Sequence, residues 1–302
     1  MTGNPTGWQV VARFLAAAGV EVVFGLPDDD LSLLAALADG PVRTVLCRDQ
    51  RNAVFMATGY ALATGRPGYC VVGRGPAVAN AVTGLVEAAT GRVPVVLLAT
   101  GTDAPRLGTG AFKELDQVSL VRPVVKWATR VEHPDLLAGT LTKAALVAAT
   151  GAPGPVYVEV PASVGGQPTS RPPRLDAAVP PDPAAAGRAP VEVPQVLRAA
   201  RRPIVLVGGG MRHRNPDRAV ERFAERIGAA IVVSASGRGA VDESHPLFCG
   251  VTGLYAPPAV AALWQETDLV VALGSRLEET TVEGWAALTP PPAVLQGNVA
   301  AA

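Results

Sequence analysis

The stretch that decides the fold is residues 43–72, which read RTVLCRDQRNAVFMATGYALATGRPGYCVV. Apolar residues over 43–47 predict a strand, apolar residues at helical spacing over 50–63 predict a helix, and 69–72 predict a second strand. Asp49 stands immediately before the helix, where its carboxylate can cap the first free N–H groups. A strand–helix–strand unit of this kind is typical of a parallel sheet.

The same alternation continues on both sides of this unit. Residues 166–190 differ, because they are rich in proline and glycine and have little aliphatic periodicity, which indicates a linker. We therefore predict an α/β fold with two doubly wound parallel-sheet domains, 1–165 and 191–302, joined by the Pro/Gly-rich linker 166–190. The predicted helices are 8–18, 31–38, 78–89, 134–149, 196–200 and 218–227, and the other predicted strands are 20–24, 93–99, 155–160, 204–207, 230–233, 269–273 and 294–296.

The composition excludes several classes of function. Lys and Arg total 26 and Asp and Glu total 26, so the formal charge is zero, which does not favour nucleic acid or an anionic membrane as a partner. The 3 cysteines are too few and too scattered for a disulfide framework or a zinc site. No apolar run reaches the roughly 18 residues of a membrane span, and residues 1–5 lack the features of a signal peptide. We expect a cytoplasmic protein with no metal ligands of its own.

A set of short motifs occurs along the chain in one order. The motifs are FGLP at 24–27, RDQRNAVFMATGYA at 48–61, GPAVANAV at 75–82, AFKELD at 111–116, GPVYVEVP at 154–161 and DLVVALGSR at 268–276. No single motif is specific, but the ordered set is, and it resembles the acetolactate synthase and pyruvate oxidase branch of the thiamine diphosphate-dependent enzymes. The resemblance implies that 1–165 is a pyrimidine-binding domain and that 191–302 is a central domain.

The resemblance also implies which residues bind the cofactor. Gly25 and Pro27 would form a turn beside the pyrimidine ring, and Gly75 and Asn80 would lie near the cofactor. Gln50 occupies the place of a glutamate that hydrogen-bonds a pyrimidine ring nitrogen in the family. An amide keeps a hydrogen bond but cannot transfer a proton as a carboxyl group does, so we expect cofactor activation to be slower here.

Three further residues are candidates for contact with the substrate. Asp29 matches an aspartate that transfers protons in the similar turn of pyruvate decarboxylases; the alternative is a solvated loop. Phe112 and Lys113 occupy a loop that resembles one reaching the active site in acetolactate synthases. The lysine there could hold an anionic substrate group, or it could be a surface lysine on a mobile loop.

The family's Gly-Asp-Gly motif, which holds Mg²⁺ and the diphosphate, does not occur in the sequence. We therefore expect thiamine diphosphate to be shared with a separate partner chain that carries the diphosphate-binding domain and Mg²⁺, in a hetero-oligomer built on a homodimer. Residues 276–280 depart from the pattern of flavin-binding members, so FAD is not expected.

The sequence thus predicts a subunit of a two-component lyase or carboligase that decarboxylates or ligates a 2-oxo acid and is active only with its partner subunit. The alternative is a non-catalytic paralogue that regulates or stabilises a complete enzyme of this family. The altered residue at position 50 suits either reading.

Overall fold

The computed structural model describes residues 4–27, 31–175 and 192–299. The chain divides into two compact units, 1–181 and 182–302, and each is described by itself. Among the described residues, no helix is both long enough and apolar enough to cross a membrane.

The first unit is built on a six-stranded sheet in which every neighbouring pair is parallel and the strand order is β2-β1-β3-β4-β6-β5. Its strands are β1 Val22–Gly25, β2 Arg43–Leu46, β3 Gly68–Val72, β4 Val95–Gly101, β5 Trp127–Arg130 and β6 Val156–Pro161, and its helices are α1 Gly7–Ala17, α2 Ser32–Ala38, α3 Gln50–Thr64, α4 Pro76–Thr90, α5 Gln117–Val121, α6 Leu137–Ala149 and α7 Ala162–Gly166.

Apolar cores lie on both faces of this sheet. Because successive side chains of a strand point to opposite faces, Leu98 of β4 joins the core under α1, α2 and α6, while its neighbour Leu97 joins the core under α3 and α4. The central strands β3, β4 and β6 are buried along their whole length, as expected of parallel strands covered by helices on both sides. Helices α3 and α4 approach closely at Gly84, where a Cβ would lie 2.6 Å from the Cβ of Val54.

The second unit repeats this architecture with a five-stranded sheet, again parallel throughout, in the order β11-β10-β7-β8-β9. Cores cover both of its faces as well. The fold prediction of two parallel-sheet α/β domains is therefore confirmed. The elements are β7 Pro203–Val207, β8 Ala230–Val233, β9 Phe248–Val251, β10 Leu269–Leu273 and β11 Ala293–Gly297, with α8 Val193–Ala199, α9 Ala219–Ile227 and α10 Pro258–Leu263.

Five elements were not predicted from the sequence, namely α5, β5, α7, β9 and α10. The strands β5 and β9 are only partly buried, so they lack the continuous apolar run that identifies a strand in the middle of a parallel sheet. The helices α5 and α7 have 5 residues each and α10 has 6, too few for a helical period to show.

The predicted domain limits stay a prediction, because residues 176–191 lie outside the described part of the chain. Residues just after 165 still contact the first unit. The backbone N–H of Thr169 donates to the carbonyl of Pro5 at 2.9 Å, Pro168 bridges to Thr6, and Leu175 packs against the core under α1.

Candidate functional site

The first sheet has a topological switch point between β1 and β3. Strand β2 lies beside β1 on one side, and the chain then crosses back so that β3 lies beside β1 on the other side. In open α/β sheets, ligands bind in the crevice outside the carboxyl ends of the strands at such a point. Gly25 ends β1 and lies opposite Val71 of β3 in the register of the sheet. This crevice is therefore the candidate site.

Gly25 itself has a packing role at this edge. A Cβ at Gly25 would lie 2.4 Å from the carbonyl oxygen of Val71, so only glycine fits between these strands. Pro27 follows in the chain, whereas Asp29 lies outside the described residues, together with Asp28 and Asp30. The cofactor-binding role predicted for Gly25 and Pro27 and the catalytic role predicted for Asp29 stay predictions.

The structure brings Gln50 and Asn80 together at the carboxyl edge. Gln50 is the first residue of α3, and Asn80 lies in the second turn of α4. The Asn80 Nδ2 donates to the Gln50 Oε1 at 3.2 Å. The carbonyl oxygen of Gln50 is thereby engaged, so Gln50 has N–H groups and Asn80 has a carbonyl oxygen to offer a ligand.

Asp49, the carboxylate next to Gln50 in the chain, is committed elsewhere. It caps α3 by accepting from the Arg51 backbone N–H at 2.8 Å, which confirms the predicted cap. Its two oxygens also accept from the Arg51 guanidinium at 3.0 and 2.9 Å. The hydrogen bonds from the Arg51 side chain, followed by that from its backbone, lower the pKa of Asp49. Asp49 is thus an ionised cap and not a proton donor that replaces a glutamate at position 50.

Gly75 forms the sharp turn that starts α4. Its φ of 61° and ψ of −113° fit the second position of a type II′ turn, which strongly favours glycine, and the Ala77 N–H closes the turn on the Arg74 carbonyl at 3.3 Å. A Cβ at Gly75 would lie 2.3 Å from the carbonyl oxygen of Lys113. The structure therefore places the loop that carries Lys113 directly against this turn.

The loop 108–116 is organised by the Glu114 carboxylate, which the sequence analysis did not single out. One oxygen accepts from the Gly108 N–H at 2.5 Å and the other from the Ala111 N–H at 3.1 Å. These backbone donors, that of Gly108 first, lower the pKa of Glu114. Lys113 has a left-handed φ of 58°, and its ammonium lies 4.9 Å from the centre of the Phe112 ring.

The Phe112 ring is 65 % exposed, as expected of a side chain presented to a ligand or a partner. The contact between Lys113 and Gly75 brings the substrate-loop candidates to the start of the helix that carries Asn80. The candidates thus form two groups, Gln50 with Asn80 and Phe112 with Lys113, which α4 connects. Whether they bind substrate or cofactor stays a prediction.

A buried polar network lies behind the Gly75 turn, and sequence reasoning missed it. Gln117 bonds to Tyr157, and the Tyr157 hydroxyl lies 3.4 Å from Glu159. The Glu159 carboxylate forms a buried ion pair with Arg130. The one available signal was Glu159 itself, a charged residue in the middle of the apolar strand 156–160.

Among the described residues, no three His, Cys, Asp or Glu side chains come together as a metal site.

In the second unit, the glycine turn after β7 packs tightly against the loop after β10. A Cβ at Gly208 or Gly210 would lie 2.4 or 2.8 Å from the Gly274 carbonyl oxygen. This packing explains the glycines without a bound nucleotide.

Comparisons with known proteins agree with this geometry. Residues 5–120 match the N-terminal TPP-binding domain of the thiamine pyrophosphate (thiamine diphosphate) enzymes, and residues 192–301 match their central domain. An acetolactate synthase of Mycobacterium bovis is 33 % identical over 299 residues, which cover 97 % of this chain and 48 % of the relative.

Two further relatives show the same relation. The large subunit of acetolactate synthase isozyme 2 of Escherichia coli K12 is 32 % identical over 300 residues, 97 % of this chain and 54 % of that protein. A probable acetolactate synthase large subunit of Methanocaldococcus jannaschii is 30 % identical over 286 residues, 90 % and 47 % respectively. The chain spans about half the length of these curated relatives. It belongs to the thiamine pyrophosphate enzyme family and carries that family's N-terminal and central domains.

Proposed function

We propose that this chain supplies the pyrimidine half of a thiamine diphosphate site in an acetolactate synthase-like enzyme that decarboxylates or ligates a 2-oxo acid. The observation that carries the proposal is the hydrogen bond from Asn80 to Gln50 at the switch point of the first sheet. Family membership and the similarity to acetolactate synthases support it.

The residues present fit the aminopyrimidine ring of this cofactor. Such a ring presents a nitrogen acceptor and an exocyclic amino donor on one edge. The N–H groups of Gln50 and the carbonyl of Asn80 are the complementary donor and acceptor. Gly25 and Pro27 would form the wall of the pocket on the β1 side, and the Gly75 turn would form the opposite wall.

When bound, thiamine diphosphate would supply a carbon nucleophile and an electron sink for decarboxylation of the 2-oxo acid. Gln50 holds and orients the ring, but its amide does not move the proton. The Lys113 ammonium binds the substrate carboxylate as a point charge, and the Phe112 ring excludes water beside it. Asp29 is the remaining candidate for proton transfer from this chain.

The proposal includes a partner chain that holds the diphosphate and Mg²⁺, in a hetero-oligomer built on a homodimer. Large apolar side chains exposed on α3, α4 and α5 support a protein partner, because apolar side chains grouped at a protein surface are typical of interfaces. Phe55 and Met56 of α3 are each 41 % exposed. The other large apolar side chains exposed on these helices are Leu62, Val86 and Leu120, and Phe112 and Leu115 are exposed in the loop 108–116.

The alternative, a non-catalytic paralogue that regulates or stabilises a complete enzyme, draws on a specific observation. The carbonyl of Gln50 is occupied by Asn80 and Asp49 is held by Arg51, so neither can accept a proton from the ring. Under this alternative the same pocket binds the cofactor or forms part of an interface with the complete enzyme, but it does not contribute to turnover.

Co-purification of the tagged chain from its own cells, followed by titration with thiamine diphosphate and Mg²⁺, tests the proposal. We expect weak binding by the chain alone and tight, stoichiometric binding by the complex, with turnover of a 2-oxo acid. Tight binding by the isolated chain would overturn the shared site, and loss of binding in both samples would overturn the cofactor proposal. Binding without turnover would establish the paralogue. The cytoplasmic location and the lack of FAD expected from the sequence stay predictions.

A further inference from the structure

A buried glutamine at the start of α5 connects three segments of the first unit. Gln117 is 2 % exposed. Its Nε2 donates to the carbonyl of Thr100 at 3.0 Å and to the hydroxyl of Tyr157 at 3.1 Å. Its Oε1 accepts the backbone N–H of Gly75. A single amide therefore joins the start of α4 to the carboxyl end of β4 and to β6.

The network behind Gln117 fixes which way its amide points. Burial, and then the neighbouring Glu159 carboxylate, raise the pKa of Tyr157 well above its ordinary value, so the phenol keeps its proton. The hydroxyl donates a hydrogen bond to the Glu159 carboxylate, which is paired with the Arg130 guanidinium. The hydroxyl then accepts from the nitrogen of Gln117, and the oxygen of Gln117 is left to face Gly75.

Gly75 is consequently held from two sides. The Gln117 oxygen accepts from its N–H, and the Lys113 carbonyl oxygen lies 2.3 Å from the position that a Cβ would take. Glycine reaches this positive-φ conformation without strain but equally reaches others, so these two contacts select the one observed. They also tie the loop 108–116 to the first turn of the helix that carries Asn80.

We propose that Gln117 is a positioning residue for the thiamine diphosphate site. By holding the Gly75 N–H it sets the start of α4, and so places Asn80 against Gln50; through Gly75 it also seats the loop that carries Lys113. Gln117 touches neither cofactor nor substrate and acts through Gly75. This inference rests on the proposed function for its consequence in cofactor binding, but not for its structural part.

Two variants of Gln117 separate this role from plain core stability. Gln117→Met keeps the length of the side chain and removes the amide, whereas Gln117→Glu keeps an oxygen for the Gly75 N–H. Tyr157→Phe is the matched control, because it removes a buried partner of Gln117 and leaves the bond to Gly75. Each variant is studied in the full chain and in its complex.

Hydrogen exchange of peptides 73–80 and 104–116 is the readout that does not depend on cofactor. We expect Gln117→Met to accelerate exchange in both peptides about tenfold or more, as expected from the loss of one or two hydrogen bonds. Gln117→Glu and Tyr157→Phe should keep the protection of peptide 73–80. Equal exchange in Gln117→Met and Tyr157→Phe at matched thermal stability would overturn the proposal. If Gln117→Met does not fold, loss of protection in Gln117→Glu would overturn it instead.

Thiamine diphosphate affinity of the complex is the second readout. We expect Gln117→Met to weaken binding about tenfold and Tyr157→Phe to leave it unchanged. Unchanged affinity in Gln117→Met would overturn the consequence for the site. A wild-type complex that binds no cofactor would refute the proposed function alone, since the exchange experiment still decides whether Gln117 holds the Gly75 turn.

Discussion

Replacing Gly75 by alanine tests the geometry on which the candidate site depends. The backbone at Gly75 has a φ of 61° and a ψ of −113°, and forcing a residue with a Cβ into such a region costs roughly 1–3 kcal/mol. The new Cβ would also lie 2.3 Å from the carbonyl oxygen of Lys113, closer than van der Waals contact allows.

Relief of that contact requires the turn or the loop 108–116 to move, which breaks the bond from Gly75 to Gln117 at a further cost of about 1 kcal/mol. We therefore expect Gly75→Ala to lower the stability of the first unit by roughly 2–4 kcal/mol. For a domain of this size each kcal/mol lowers Tm by about 2–4 °C, so the expected decrease is roughly 4–16 °C.

Thermal unfolding followed by circular dichroism measures this decrease, and Gly59→Ala is the matched control. Gly59 lies inside α3, and a Cβ there meets no atom within 4 Å; alanine in a helix interior should stabilise the chain by about 0.5–1 kcal/mol. A Tm for Gly75→Ala equal to that of the wild type, with Gly59→Ala behaving as expected, would refute the described turn and its contact with Lys113.

The remaining predictions concern the groups around this turn. Gln50→Glu places a carboxyl group at the edge of the sheet, so exchange of the reactive carbon proton of thiamine diphosphate in the complex should become roughly 10²–10⁴-fold faster. Proton NMR after an acid quench measures that rate, and an unchanged rate would remove Gln50 from the site. Lys113→Met should raise KM for the 2-oxo acid about two- to fivefold with little change in kcat. Lys143→Met, which removes an ammonium held 4.5 Å from a tryptophan ring centre, is its control. Identical KM values for the two variants would show that Lys113 does not bind the substrate. Backbone donors lower the pKa of Glu114, so its contribution to loop order is complete above the ordinary carboxyl pKa and is lost as pH falls through the lowered value. Limited proteolysis of loop 108–116 should therefore accelerate only in acid, whereas Glu114→Gln, which keeps one acceptor oxygen, should be cleaved faster at neutral pH. Equal cleavage of variant and wild type at neutral pH would show that the carboxylate does not hold the loop.

Prediction from sequence worked best where burial leaves a continuous signal. Strands β8 and β10 have the predicted bounds, 230–233 and 269–273, because a strand covered on both faces is apolar throughout. Strand β5 failed this test, since its four residues are half-buried and include an arginine. That arginine, Arg130, forms an ion pair with Glu159 of β6. No local sequence pattern shows a contact between two separate strands.

In the candidate site, too, some residues were predicted from local sequence signals and others were missed because their contacts are distant in the chain. Gln50 and Asn80 were predicted because each stands in a motif that resembles the family, and asparagine is a poor choice inside a helix unless its side chain is used. Gln117 was missed because all three hydrogen bonds of its side chain reach residues at least 17 positions away in the chain. Nothing within its own short helix marks it as buried, so its role becomes visible only after the strands are in place.

The backbone itself points to the same part of the molecule as the side chains. Among the described residues of the first unit, the non-glycine residues with left-handed φ are Arg92 and Lys113. Arg92 belongs to the turn that ends α4, where its N–H bonds to the Ala89 carbonyl at 3.2 Å. Lys113 has no such place at a helix end. A lysine there costs free energy that glycine would not. The surrounding structure holds it there nonetheless: the Glu114 carboxylate orders the loop on one side and the Gly75 turn lies against its carbonyl on the other. Strain maintained in this way at the carboxyl edge of a parallel sheet is the backbone observation that motivates the predicted role of Lys113 in binding an anionic group.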